Sequence, residues 1–337
     1  MAELEFGIAV HPEPDPHGLV DAAGRAESLG YDRFWIPDQS FLADPFLMAG
    51  RVAERHSIPV GIGLASPFSR HPVQIARAMA TLVRLDDVHR SWVLALGKGN
   101  SNLVLRPLGF ESGATTARLV AALDLVKRLL AGEEITEPVP GFTTAPVSLG
   151  ADTERIPVFV GTRGPRTLEA AGPVADGFIT ESLFLPELVA WARRAAGLGP
   201  GDRRAHVAWQ AVVILDEGEA IPVAARRFAA LLMRTTAQPV LELLGVDPEL
   251  RARVAARALR DGDLGDDDVR RFVAVGTVEQ LRTRILDAAR AGVTSWSSMF
   301  VGDAPTAEAA MARFADEVVR PVRAALADLP SSDQKDR

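Results

Sequence analysis

Residues 58–72 read Ile58-Pro-Val-Gly-Ile-Gly-Leu-Ala-Ser-Pro-Phe-Ser-Arg-His-Pro72, a short apolar strand running out into a loop and then a helix start. Val60, Ile62 and Leu64 have no polar partner along the strand, the pattern of a parallel strand covered on both faces. Gly61 and Gly63 interrupt it. Glycine inside a strand costs entropy and packing, so this pair marks a bulge or a place where a ligand meets bare backbone; a tightly packed barrel strand is the alternative. Pro72 suits the first turn of a helix reaching about Leu85.

Toward the N-terminus, Leu4–Val10 reads as a first strand, and the proline-rich loop from His11 to Pro16 cannot be helical. Leu19, Ala22, Ala23, Ala26 and Leu29 recur at helical spacing, with Gly30 placed to cap them. A second strand, Arg33–Pro37, ends at Asp38-Gln39, and a helix over Pro45–Arg55 leads back to residue 58.

Toward the C-terminus, a fourth strand over His89–Leu96 ends in Gly97, Lys98, Gly99 and Asn100, a loop able to set backbone N–H groups and one ammonium near an anion. A helix over Thr115–Ala131 is followed by a Pro- and Gly-rich surface excursion, Glu137–Gly150. The fifth strand, Ile156–Val160, enters Gly161-Thr162-Arg163-Gly-Pro165 and a helix. That is either a phosphate-binding helix start or an ordinary βα turn. A sixth strand, Asp176–Thr180, ends at Glu181, with a helix over Pro186–Gly197 after it. The seventh covers Val207–Leu215. Helical segments over Ala220–Thr236 and Pro239–Arg260 exceed what one crossover needs, and the acidic run Asp261–Asp268 lacks the ligand spacing of a calcium loop, so it reads as solvated loop and helix cap. Thr277 and Gln280 form a capping box for a helix to Gly292. An eighth strand, Thr294–Val301, and a long helix over Thr306–Leu326 close the chain, and residues 331–337 read as a disordered tail.

Eight strands each followed by helix predict a (β/α)8 TIM barrel, α/β in class, with a helical insertion between strand 7 and helix 8, in one domain over residues 1–330. Catalysis in such barrels sits at the strands' C-terminal ends, where His11, Asp38, Gln39, Ser66, Lys98, Asn100, Thr162, Arg163 and Glu181 all fall. The rival open doubly wound sheet lacks its G-x-G-x-x-G after strand 1. The chain has 337 residues, 47% hydrophobic and 6% aromatic, and a net charge of −7 from 37 basic and 44 acidic residues. That balance argues against nucleic acid and fits a small-molecule substrate. With no cysteine, disulfides, thiolate nucleophiles and Cys-ligated metals are excluded. No metal site is read, nor any signal peptide or apolar run of about 18 residues, so no membrane contact and a cytoplasmic location are expected.

Residues 27–38 (Glu27-Ser-Leu-Gly-Tyr-Asp-Arg-Phe-Trp-Ile-Pro-Asp38), 61–72, 156–165 and Ala175-Asp-Gly177 together resemble the bacterial luciferase-like superfamily of flavin- and deazaflavin-dependent enzymes. Within it the chain is most similar to the methylenetetrahydromethanopterin reductase branch, which uses coenzyme F420. The resemblance implies a deazaflavin across the barrel mouth against a bulged third strand, with a non-proline cis peptide at Gly63–Leu64. It places Asp38, Gln39, Gly63, Leu64, Ala65 and Ser66 by the ring's polar edge and ribityl chain, and Gly97–Asn100 and Gly161–Arg163 at the ring edge and phosphate. Taken alone, Asp38 and Ser66 would read as loop caps.

Three departures stand out: Gln39 where many members have histidine, Ala9 where the branch has an acid, and His89-Arg90 for the usual Gly-Arg. They suggest a retained cofactor with a different substrate. Lys98, Arg106, Arg163 and Arg166 tilt the choice toward F420 and its polyanionic tail, and so toward hydride transfer to an activated C=C or C=N bond. An FMN-dependent monooxygenase and a non-catalytic flavin-binding barrel are the alternatives. With histidine missing at position 39, His11 and then Glu181 are the expected proton donors by position. A homodimer is the expected assembly.

Overall fold

The computed structural model describes residues 4–10, 15–39, 41–99, 105–109, 115–144, 146–150, 156–181, 185–199, 202, 204–257 and 263–328. The expected tail at 331–337 lies outside them, as do His11 and Asn100. The strands are β1 (Glu5–Ala9), β2 (Arg33–Ile36), β3 (Val60–Ala65), β4 (Trp92–Leu96), β5 (Val158–Gly161), β6 (Gly177–Glu181), β7 (Ala205–Ile214), β8 (Ala274–Gly276) and β9 (Ser295–Phe300). Strands β6, β5, β4, β3, β2, β1, β9 and β7 follow one another through the sheet, and a further β6–β7 pairing closes the ring, giving the (β/α)8 barrel the sequence predicts. The three-residue β8, which the sequence reading missed, pairs with Val212–Ile214 of β7.

The helices are α1 (Pro16–Ser28), α2 (Pro45–Arg55), α3 (Pro72–Arg84), α4 (Thr116–Leu130), α5 (Pro165–Ala171), α6 (Pro186–Ala195), α7 (Val223–Thr235), α8 (Gln238–Leu243), α9 (Pro248–Ala255), α10 (Asp266–Phe272), α11 (Val278–Arg290), α12 (Ala304–Phe314) and α13 (Arg320–Ala327). The second predicted insertion helix, Pro239–Arg260, is two: the backbone turns left-handed at Gly245, φ +64°, and restarts at Pro248 behind the Asp247 cap. Asp266–Asp268 fill the first turn of α10, where their charge suits the helix dipole, and Arg226 pairs with Asp266. Both halves of the Thr277–Gln280 capping box are present. The predicted closing helix carries a π turn at Ala315–Val319. Pro321 explains it: proline has no N–H for the Glu317 carbonyl four residues back, and Arg282 Nε donates to that oxygen instead, at 2.6 Å. No helix among the described residues is long and apolar enough to cross a membrane.

The chain packs as two compact units, one of Ile8–Ile179 with Arg194–Ala205, the other of Met1–Gly7, Thr180–Arg193 and His206–Arg337. In the first, an ion pair is sealed at the entry to β4. The side chains of Arg90 and Asp86 are only 2% and 1% exposed. Arg90 donates to both Asp86 oxygens and to the carbonyls of His56 and Ala53, and Trp92 Nε1 donates to Asp86 at 2.9 Å. Burial alone would raise the Asp86 carboxyl, but the hydrogen bonds from Arg90 and Trp92 outweigh it and hold it below the usual range. This corrects the reading of His89-Arg90 as a change in the chemistry. His89 takes a left-handed backbone, φ 50°, the conformation a glycine would supply, and Arg90 is structural.

In the second unit, His206 is 1% exposed, with Nε2 2.6 Å from Thr180 Oγ1. Burial, and then the charge of Arg193, push its imidazole down to about 3.

Two measurements check these packing claims. Arg90→Met leaves Asp86 charged and unpaired in the interior and should cost about 3–5 kcal/mol in urea unfolding at pH 7, whereas the exposed Arg51→Met should cost under about 1. His206 is neutral when folded and protonates near 6.5 when unfolded, so its contribution is present above 6.5 and lost as pH falls toward 3. Between pH 7.5 and 5, wild type should lose up to about 2 kcal/mol relative to His206→Asn.

Candidate functional site

The site is built on the C-terminal ends of β2, β3, β4 and β5, all within the unit containing Ile8–Ile179. Its base is an irregularity in β3. Ile62 pairs with Leu94 and Ala65 with Leu96, so three steps along β3 match two along β4. That is the bulge expected from the sequence, and the Gly63–Leu64 peptide within it is cis, as the resemblance implies. The ends are tied together by the Gly63 carbonyl, which accepts from Asp38 N–H at 3.3 Å, and by the Ala65 carbonyl, which accepts from Gly97 N–H at 3.0 Å.

The glycines serve one another's side chains. A β-carbon on Gly61 would fall 2.3 Å from the Trp35 ring, and one on Gly63 would fall 2.8 Å from Ala95 Cβ. Neither faces open space, so these two glycines answer to packing between strands and not to a ligand. Leu64 lies over Gly97 and Gly161: added β-carbons would come 3.1 Å and 2.0 Å from its side chain. Leu64 therefore spans the ends of β3, β4 and β5 because two neighbouring strands end without side chains. At Gly99, φ +76° calls for glycine directly.

Ser66 and Asp38, equal candidates for loop caps in the sequence, part company here. Ser66 is buried; its hydroxyl donates to the Lys98 carbonyl at 3.1 Å and accepts from Phe68 N–H at 3.3 Å. It is the cap. Asp38 is half-buried, and among the described residues nothing hydrogen-bonds to its carboxyl. Arg70, the cation whose charge acts on it, is paired with Asp44. Burial raises the Asp38 carboxyl to about 6; Arg70 pulls it down in part, and Asp44 pushes it up. Gln39 is exposed beside it.

Lys98 is half-buried, and its amine donates to Thr116 Oγ1 at 2.9 Å, which lies 3.2 Å from Thr167 Oγ1. Among the described residues no carboxylate pairs with it, and burial lowers its pKa. The turn after β5 offers fewer amides than its sequence suggests. Gly164 N–H is taken by Thr162 Oγ1 at 3.0 Å, Thr162 N–H by the Ile179 carbonyl, and Thr167 and Leu168 N–H by the Gly164 carbonyl, while Pro165 has none. Arg163 is half-buried; Arg106 and Arg166 are exposed.

Asp38, Gln39, Gly63–Ser66, Gly97–Gly99 and Gly161–Arg163 thus belong to one unit, whereas Glu181 ends β6 in the other. His11 and Asn100 lie outside the described residues. The sequence reading missed Arg70, Thr116 and Thr167. Arg70 stood inside the quoted stretch, but its pairing with Asp44 crosses 26 residues; the threonines carried no local signal.

A family model described as luciferase-like monooxygenase matches residues 2–295. The 5,10-methylenetetrahydromethanopterin reductase of Methanolobus tindarius is 25% identical over 309 residues, 86% of this chain and 92% of its own length. An F420-dependent glucose-6-phosphate dehydrogenase of Nakamurella multipartita is 32% identical over 202 residues, 55% of this chain and 58% of its own. The structure of the coenzyme F420-dependent tetrahydromethanopterin reductase from Methanopyrus kandleri superposes with a TM-score of 0.78 at 24% identity, covering 95% of this chain and all of that one, and so agrees in fold. With the family match extending over most of its length, the chain belongs to the luciferase-like monooxygenase family.

Proposed function

We propose that the protein is a coenzyme F420-dependent oxidoreductase that delivers a hydride to an activated C=C or C=N bond of a small molecule. The observation that carries the reading is Lys98, a half-buried ammonium that donates to the Thr116 hydroxyl and pairs with no carboxylate among the described residues, set between two glycines at the end of β4. A half-buried cation with no paired carboxylate among the described residues, in a protein of net charge −7, suits an anionic ligand. The reductases and dehydrogenases among the relatives support the same reading.

The residues present fit a deazaflavin. Leu64, seated on Gly97 and Gly161, offers an apolar surface, and Lys98 supplies positive charge. When bound, coenzyme F420 supplies two-electron hydride chemistry. The chain's own part is to hold: Ser66 fixes the Lys98 carbonyl, Thr116 holds the Lys98 amine and is itself held by Thr167, and the β3 bulge fixes Leu64.

Fluorescence titration of the apoprotein should give tighter binding for F420 than for FMN, and Lys98→Gln should weaken F420 at least about tenfold, as expected for a lost charge-assisted contact. Gly161→Ala must push Leu64 aside and should weaken F420 by a similar factor with little change in thermal midpoint. Stoichiometric copurification of FMN with indifference to F420 would instead establish the monooxygenase reading.

A further inference from the structure

Reduction of a C=C or C=N bond needs a proton as well as a hydride, and the glutamine at position 39 cannot supply one. We infer that Asp38 is the proton donor of this site. The inference rests on the F420-dependent reading given above.

Three features of its surroundings lead there. Asp38 follows directly from β2, and its N–H is bound to the Gly63 carbonyl, so its backbone is anchored to the bulge that carries Leu64. Its carboxyl is free of hydrogen-bond partners among the described residues, unlike the neighbouring Ser66, whose hydroxyl is spent on the loop. And the cation that would ordinarily lock it as a carboxylate, Arg70, is held by Asp44 and packs over the Phe46 ring at 4.6 Å. The charged groups that act on it are thus Arg70 and Asp44, which oppose each other; burial decides, and leaves the carboxyl titrating at about 6, close to working pH.

For an enone acceptor the balance is as follows. The β-carbon takes the hydride supplied by reduced F420, the π electrons move to the α-carbon, and the Asp38 O–H bond breaks to give that carbon its proton. The resulting carboxylate recovers a proton from water. For a C=N bond the carbon takes the hydride and nitrogen the proton.

Asp38→Asn keeps the size and removes the proton. With aspartate labelled at its carboxyl carbon, NMR titration of the wild-type apoprotein should show one carboxyl titrating near 6 that is missing in Asp38→Asn. With cyclohexenone, cinnamaldehyde and a cyclic imine as acceptors, the variant should turn over at least about 100-fold more slowly, at saturating F420, on whichever the wild type reduces. Wild-type turnover should fall as pH rises above 6, a limb the variant lacks. Unchanged turnover in Asp38→Asn overturns the inference. So does a wild-type carboxyl that titrates with the surface aspartates, and that result decides even where none of the three acceptors is reduced. Failure of the wild type to bind F420 would overturn the cofactor reading separately.

Discussion

Everything at the candidate site depends on one mismatch between neighbouring strands: three residues of β3 set against two of β4. Without it, Ala65 would stand a step further along, and its carbonyl would not meet the Gly97 amide. The same shift lays Leu64 across β4 and β5, while on the β2 side the register runs on unbroken and brings the Gly63 carbonyl to the Asp38 amide. A bulge re-aims side chains at the rim of a barrel in just this way, and the neighbouring strands must then give up their own side chains where it lands. Gly97 and Gly161 are that accommodation.

Around this frame, charge is distributed unevenly. Several cations among the described residues are matched: Arg90 with Asp86, Lys127 with Asp176, Arg70 with Asp44. Lys98 and Asp38 are the exceptions at the strand ends, and burial shifts both toward their neutral forms. Structural ion pairs stabilise by satisfying each other; groups left partly desolvated and unmatched are costly, and their persistence at the C-terminal strand ends points to a ligand or a reaction. Arg90 is the contrast: it is buried at the opposite end of β4, and its guanidinium makes four hydrogen bonds, two to Asp86 and one each to the His56 and Ala53 carbonyls.

Much of this was legible in the chain itself. Strand and helix order follows from period-2 and period-3.6 patterning, capping signals such as Thr277 with Gln280 are local, and the paired glycines of residues 61–63 announced an irregular strand. Where local signals failed, the cause was also local. The helix expected over Pro239–Arg260 broke because Gly245 tolerates a left-handed turn that apolar periodicity does not register. The β8 strand is three residues long, too short for alternation to be read. The phosphate-like turn after β5 looked open because sequence does not show that Thr162 and the Gly164 carbonyl take its amides.

Sequence by itself determined the barrel, the family resemblance, and the set of polar residues at the strand ends, because these depend on residue type and spacing along the chain. Only the tertiary structure decided what each of those residues does. Ser66 and Asp38 are indistinguishable as short polar residues after a strand, and they differ solely in what lies beside them: the Lys98 carbonyl for one, and for the other an arginine already claimed by Asp44. Gly61 and Gly63 likewise looked like room for a ligand until Trp35 and Ala95 were seen to occupy it. Protonation and packing are set by neighbours distant in sequence, and only folding brings those neighbours together.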